Sequence, residues 1–254
     1  MFQTIFYQPV LNLLVFLYNI IPGHDLGLAI ISLTIIIKLI LLLPSRQSIK
    51  SQKALQDLQP KIEEIKKKHK DNKEAMGRAM MELYKKEKVN PFSSCLPLLI
   101  QLPFLWAVFR VFQDGLNGES LNLAYSFISR PESLESMSFG MVDLSQPNAV
   151  LAVLAGLAVF WQAKMMVVKR PEVKSSGAKD ENMMAIMNKQ MVYFMPVITV
   201  FFCLKFPSGL ALYWLTTTIL TGLQQLYMFK HKNSPPGPNL DKKGEAIEGE
   251  VVKQ

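Results

Sequence analysis

The sequence predicts an all-α integral membrane protein: a five-transmembrane-helix core with an N-terminal interfacial helix and a cytoplasmic helical hairpin. Three observations predict it. Half of the 254 residues are apolar and only 19% are charged, against about 25% charged in an average soluble domain. The apolar residues gather in blocks near membrane-spanning length, separated by segments dense in Lys and Glu. The basic residues of those segments alternate along the chain as a topology signal would. This segregation excludes a disordered protein, a secreted disulfide scaffold and a plain nucleic-acid-binding domain, despite the net charge of +8.

Residues 1–22 contain Pro9 and the aromatic residues Phe2, Phe6, Tyr7, Phe16 and Tyr18, and no Lys or Arg. They read as a helix lying on the outer surface. As a sixth span this block would place the N-terminus inside with no positive charge to hold it. It lacks the basic start and small-residue cleavage motif of a signal peptide, and is expected to stay on the mature chain.

Five spans follow, at residues 26–44, 92–112, 147–168, 183–204 and 209–229. About 20 residues at 1.5 Å each cross a hydrocarbon core of about 30 Å. The strictly apolar part of the fourth span, MVYFMPVITVFFCL, has only 14 residues. It needs an earlier helix start or a locally thinned bilayer. Between the spans, residues 46–88 carry 13 Lys and Arg against 7 acids, and residues 164–190 carry 6 against 3. Residues 113–148 carry one Arg against 5 acids. The positive-inside rule puts the rich segments and the tail from Lys230 in the cytoplasm, with the N-terminus outside. The outer loop region is then 113–146, the cytoplasmic loop 169–182, and residues 230–254 a disordered tail. KFPSG, before the fifth span, reads as a tight outer hairpin. Cys95 and Cys203 point to opposite faces, which argues against a disulfide.

Within 46–88, Leu55, Leu58, Ile62 and Ile65 recur at helical spacing. Pro60 interrupts the run, KDNK at 70–73 reads as a turn, and Met76, Met80, Leu83 and Tyr84 mark a second helix. Two readings stand for this hairpin. It is a structural connection with a solvated charged face, or a docking or gating device for incoming chains, ribosomes or targeting factors. Basic helices suit ribosomal RNA or anionic lipid, but no base-specific signal is visible.

Lys38 lies inside the first span, where a charge costs about 2.5 to 3.5 kcal/mol on insertion scales. Either its ammonium snorkels to the inner interface, or it stands in a water-filled cavity. Thr34 lies one turn before it on the same face. Gln101 sits between Pro97 and Pro103, Gln162 is in the third span, and Trp214, Thr217, Thr221 and Gln224 form one stripe of the fifth. Interhelical hydrogen bonding explains each alone. Together with Lys38 they point to a hydrated groove. Arg110 is placed to snorkel outward, Ala152 and Gly156 form a small-xxx-small packing pair, and Met183, Met187, Met191 and Met195 recur every fourth residue for packing or client adaptation. The three His are too scattered for a metal site. No nucleophile elbow, HExxH or phosphate-binding Gly loop occurs, so no catalysis and no cofactor are expected.

TIIIKLILLLP, ALQDLQPKIEEIKKKHKDNKE, VNPFSSCLPLLIQLPFLWAVFRV and FPSGLALYWLTTTILTGLQQ, in that order, resemble the YidC family of membrane protein insertases, with its mitochondrial Oxa and chloroplast Albino relatives. The resemblance covers residues 1 to about 230. It implies a protein of the bacterial plasma (inner) membrane that inserts other membrane proteins and helps them fold, without nucleotide hydrolysis. It implies a hydrophilic groove open to cytoplasm and lipid and closed outside, with a cation in the first span. That cation is usually Arg; Lys38 keeps the charge but loses the planar five-donor fork. Thr34, Gln162 and Trp214 match groove positions, and the third and fifth spans resemble the surface along which a client leaves. Implied partners are nascent membrane proteins and the lipid bilayer, with the ribosome, the signal recognition particle and its receptor, and the Sec translocon as further candidates. The large outer domain of Gram-negative members and the lipoprotein signal of many Gram-positive ones are not seen. A small transporter or channel, or a scaffold of a membrane complex, remain the alternatives, although inverted repeats are not evident.

Overall fold

The structure is a computed structural model that describes residues 1–69, 72–90, 96–113, 121–131, 133–166 and 192–230. Lys70 and Asp71 of the expected turn, Cys95, the cytoplasmic loop 169–182, the tail 231–254, and Met183, Met187 and Met191 lie outside the described residues.

After one π-helical turn, Gln3–Tyr7, helix α1 runs Gln8–Ile20, with Pro9 in the first turn, where its missing N–H leaves no bond unmade. Val10, Leu11, Leu14, Val15, Leu17 and Tyr18 are buried, whereas Phe16 and Ile20 are exposed. The N-terminal helix thus contributes one face to the main core. Helix α2, Leu26–Ile40, starts at Asp25, whose carboxylate accepts the Leu28 N–H at 2.9 Å.

The apolar run expected as the first span is not one continuous helix to Pro44. Helix α2 stops at Leu41, and α3, Leu42–Asp57, departs at 70°. Pro44 falls in the first turn of α3, where no helical N–H bond is required of it. The 15 residues of α2 measure only about 22 Å. Among the described residues no single helix is long and apolar enough to cross a membrane; α2 and α3 qualify by length and composition only as this bent pair.

The hairpin appears as α4, Gln59–Lys68, and α5, Lys73–Lys86, with Pro60 in the first turn of α4 and Asn72 capping α5 through the Ala75 N–H at 2.9 Å. Leu58 and Ile62 are buried, and Lys61 pairs with Glu87 at 2.6 Å across the two arms. Helices α6 (Leu96–Gln113), α7 (Ala149–Met166), α8 (Val192–Cys203) and α9 (Ser208–Lys230) follow among the described residues. Between α6 and α7, a two-residue antiparallel ladder joins β1 (Met137–Ser138) to β2 (Val142–Asp143), pairing Met137 with Asp143 and Ser138 with Val142.

Two apolar clusters hold the molecule. The larger joins α1, α2, α6, the start of α9 and the loop residues Leu121, Ile128, Leu134 and Leu144. The smaller consists of Ala152, Ala155, Cys203 and Ala211, and brings α7, α8 and α9 together. Small side chains let backbones approach closely. A Cβ on Gly156 would fall 2.4 Å from Val200 Cγ2, so the expected small-xxx-small pair lies in the α7–α8 contact.

Polar side chains of α1 and α2 hang the loop on this core. Asn12, buried, donates to the Gln8 carbonyl at 2.7 Å and the Leu123 carbonyl at 3.2 Å, and accepts the Tyr125 N–H at 2.6 Å. Asn12→Leu is expected to destabilise by about 1–3 kcal/mol for each buried group left unpaired. A fall in detergent-solubilised Tm of about 2–4 °C per kcal/mol checks it.

Asp25 also accepts from Ser138 Oγ and the Phe139 N–H. Partial burial pushes its carboxyl pKa up, but the bonds from Phe139, Leu28 and Ser138 outweigh that and hold it below the ordinary 3.8. The carboxylate therefore adds stability above 3.8, and that contribution is lost as pH falls through the lower folded-state value. Asp25→Asn is expected to lower Tm at neutral pH, with the gap to wild type closing on acidification below 3.8 in thermal scans.

Candidate functional site

Lys38 lies in the last turn of α2, where the helix C-terminus favours a cation. Its Nζ donates to Thr221 Oγ1 on α9 at 2.7 Å, and the Thr221 hydroxyl donates onward to the Thr217 carbonyl at 2.7 Å. The hydroxyl thus serves both groups, accepting once and donating once. Among the described residues no carboxylate pairs with Lys38. Thr34, one turn earlier, is buried and donates to the Ile30 carbonyl at 2.6 Å, so its hydroxyl is satisfied within its own helix.

Further along α9, Gln101 Nε2 donates to Tyr213 Oη, and Tyr213 is buried to 1% exposure. Thr217 Oγ1 stands beside that phenol but outside hydrogen-bonding geometry. Toward the other end, Gln225 Nε2 donates to Gln52 Oε1 of α3 at 3.3 Å. Gln224 Nε2, Gln225 Oε1 and Ser48 Oγ are buried without a hydrogen-bond partner among the described residues.

These groups form a polar seam on α9 from Tyr213 to Gln225, about 18 Å at 1.5 Å per residue, with Lys38 facing its middle. Buried polar atoms without partners cost about 1–3 kcal/mol each in an apolar surround. Bound water removes that penalty where a site is polar and roomy. The seam is therefore a run of polar groups set among apolar helices.

The structure joins Lys38 with Thr221 and sets Thr217 and Gln224 along the same seam. It joins Gln101 to Tyr213 instead, and leaves Gln162, half-buried on α7, without a hydrogen bond to Lys38. Trp214 lines an apolar cleft of about 250 Å³ with Leu102, Trp106 and Phe109 of α6, Phe202 of α8, and Phe206. Sequence reasoning missed Tyr213, Gln225, Gln52 and Ser48. A signal existed for two of them: the adjacent glutamines 224 and 225, and a Tyr four residues before Thr217.

Among the described residues, fold and site define a class: a mostly helical protein with an internal polar seam faced by Lys38. Residues 16–235 match a family model described as 60Kd inner membrane protein, and the chain belongs to that family. It is 34% identical to the membrane protein insertase YidC of Fusobacterium nucleatum over 226 residues, covering 88% of this chain and 97% of the relative. It is 36% identical to the protein of that name from Geotalea daltonii, covering 88% of this chain and 37% of the relative. With the Endomicrobium trichonymphae protein of that name it shares 34% identity, over 86% of this chain and 38% of the relative. The chain thus spans little more than a third of the length of several curated relatives it matches.

Proposed function

We propose that this chain is a membrane protein insertase and chaperone that receives client transmembrane segments at the polar seam and releases them sideways into lipid without nucleotide hydrolysis. The observation that carries this reading is Lys38, held by Thr221 on a seam of partly unsatisfied polar groups. A client's hydrophilic tail must cross hydrocarbon, where each uncompensated charge costs several kcal/mol. A wet seam keeps the tail hydrated for part of the route, and Lys38 gives an acidic tail a partner. The client's own apolar span supplies the main driving force on reaching lipid. The membrane potential adds about 2.3 kcal/mol per 100 mV for each acidic charge moved outward.

In this reading a client leaves for lipid along the surface of the third and fifth spans, α7 and α9. Helices α7 and α9 pack tightly: a Cβ on Gly222 would fall 2.3 Å from the Trp161 ring. The protein then lies in the bacterial plasma membrane with its N-terminus outside and C-terminus cytoplasmic. The basic hairpin is the docking element for the ribosome, for the signal recognition particle and its receptor, or for a translocon.

Insertion of a single-span client with a short acidic N-terminal tail into proteoliposomes, scored by protease protection, tests the proposal. Protection above that in empty vesicles is expected; equal protection with correctly oriented protein overturns it.

A further inference from the structure

We propose that the apolar cleft between α6, α8 and α9 holds one acyl chain of an anionic phospholipid, whose phosphate sits at Lys205. This inference rests on the chain's place in a membrane and not on any client.

The first support is shape. The lining on α6 runs from Leu102 to Phe109, a length of about 10 Å at 1.5 Å per residue. The volume of about 250 Å³ exceeds the roughly 150 Å³ apolar cavity that admits benzene. A helix with its side chains is about 10–12 Å across and does not enter without the walls parting. A single hydrocarbon chain does.

The second support is polarity. One end is closed by aromatic rings, with Phe109 edge-on to Phe206 at 5.3 Å and Phe206 stacked on Phe202 at 6.0 Å. Lys205 adjoins this end through its backbone, next to Phe206 in sequence and with its N–H bonded to the Phe202 carbonyl, while its Nζ lies 5.9 Å from the ring centre of Phe201, beside the cleft lining rather than in it. Cation–π attraction steadies the ammonium there. Lys205 is exposed, and among the described residues no carboxylate pairs with it. The other end, at Leu102 and Trp214, adjoins Gln101 and Tyr213 deeper in the bundle. A cation at the loop end and an apolar channel running inward match the polarity of a phospholipid, head at the surface and tail toward the midplane. The other Lys and Arg on the proposed outer side are Arg110, at the outer end of α6, and Arg130 of the loop.

Trp106 and Trp214 both line the cleft, which makes them reporters. The full chain, as wild type and as Trp161→Phe, is reconstituted without client in phosphatidylcholine vesicles. A small fraction of either phosphatidylglycerol or phosphatidylcholine is brominated on the acyl chain, and Trp quenching is measured. The brominated phosphatidylglycerol is expected to quench as though enriched about fivefold, the scale of one basic side chain's attraction to anionic lipid. Lys205→Gln is expected to abolish the enrichment and Lys205→Arg to keep it. The wild-type series secures the result if Trp161→Phe fails to fold. Equal quenching by the two lipids would mean an ordinary lipid annulus and overturn the proposal, as would enrichment that survives Lys205→Gln. Quenching that falls as protein density in the membrane rises would assign the cleft to a second copy of the chain.

Discussion

Lys38→Ala is expected to slow insertion of a client with an acidic N-terminal tail by about tenfold or more, while leaving the fold intact. The size follows from a charged hydrogen bond worth about 1.5–3 kcal/mol, with each 1.4 kcal/mol about a factor of ten in rate. Lys38 is half-buried and bonds only a hydroxyl among the described groups, so its removal leaves no buried carboxylate stranded. Lys38→Arg keeps the charge and is expected to preserve insertion. A client with a neutral tail should be affected less than the acidic one. The measurement is the initial rate of protease protection in proteoliposomes, with circular dichroism to check folding. An Ala variant with the wild-type rate on the acidic client would remove Lys38 from the mechanism.

Gly209→Leu is expected to be the most damaging single change to the fold. A Cβ there would fall 2.0 Å from Phe112 Cζ and within 3 Å of two further ring atoms. The ring is itself buried in the main cluster. The Gly209 N–H bonds the Leu144 carbonyl at 3.0 Å, and Ser208 Oγ donates to the Asp143 carbonyl at 3.0 Å, so α9 cannot slide away from α6 without tearing the loop from its start. Destabilisation of about 3 kcal/mol or more is expected, at the upper end for overpacking. A Cβ on Gly77 of α5 would meet nothing within 4 Å, and Gly77→Ala should be neutral or stabilising by up to about 1 kcal/mol. Thermal unfolding of the two variants side by side reads the contrast.

The helical blocks were legible because apolar residues cluster by length and charge clusters between them. Lys38 stood out because a charge in such a block is rare. The break at Leu41 was not legible. Leu41, Leu42 and Leu43 continue the apolar run, and Pro44 is as compatible with a helix start as with a helix end. What distinguishes the two is where Gln52 docks on α9, a contact between residues 173 positions apart. The rotation of α9 was half legible. Trp214, Thr217, Thr221 and Gln224 share one stripe by spacing, but Trp214 lines the apolar cleft and Tyr213, four residues before Thr217, bonds Gln101. One residue turns a helix by about 100°, and the partner helix decides which of two neighbours faces inward. The short ladder between β1 and β2 had no periodic signature, since two paired residues on each strand are too few for one. Its position depends on Asp25, over a hundred residues away.

The hydrogen bonds between Asn12, Tyr18, Asn19 and Asp25 and the loop have a mechanical consequence. They clamp backbone groups of Leu123, Tyr125, Ser129, Glu135 and Phe139 onto two helices of the main cluster, and none of these clamps reaches α3. At the opposite end α3 is held to α9 by Gln52 with Gln225 at 3.3 Å and by Lys53 lying 5.6 Å from the Phe229 ring centre. Segments with many buried bonds open rarely and those with few open often. Among the described residues the polar ties are therefore denser at the loop end of α9 than at its α3 end, which makes the loop end the stiffer mount of the two.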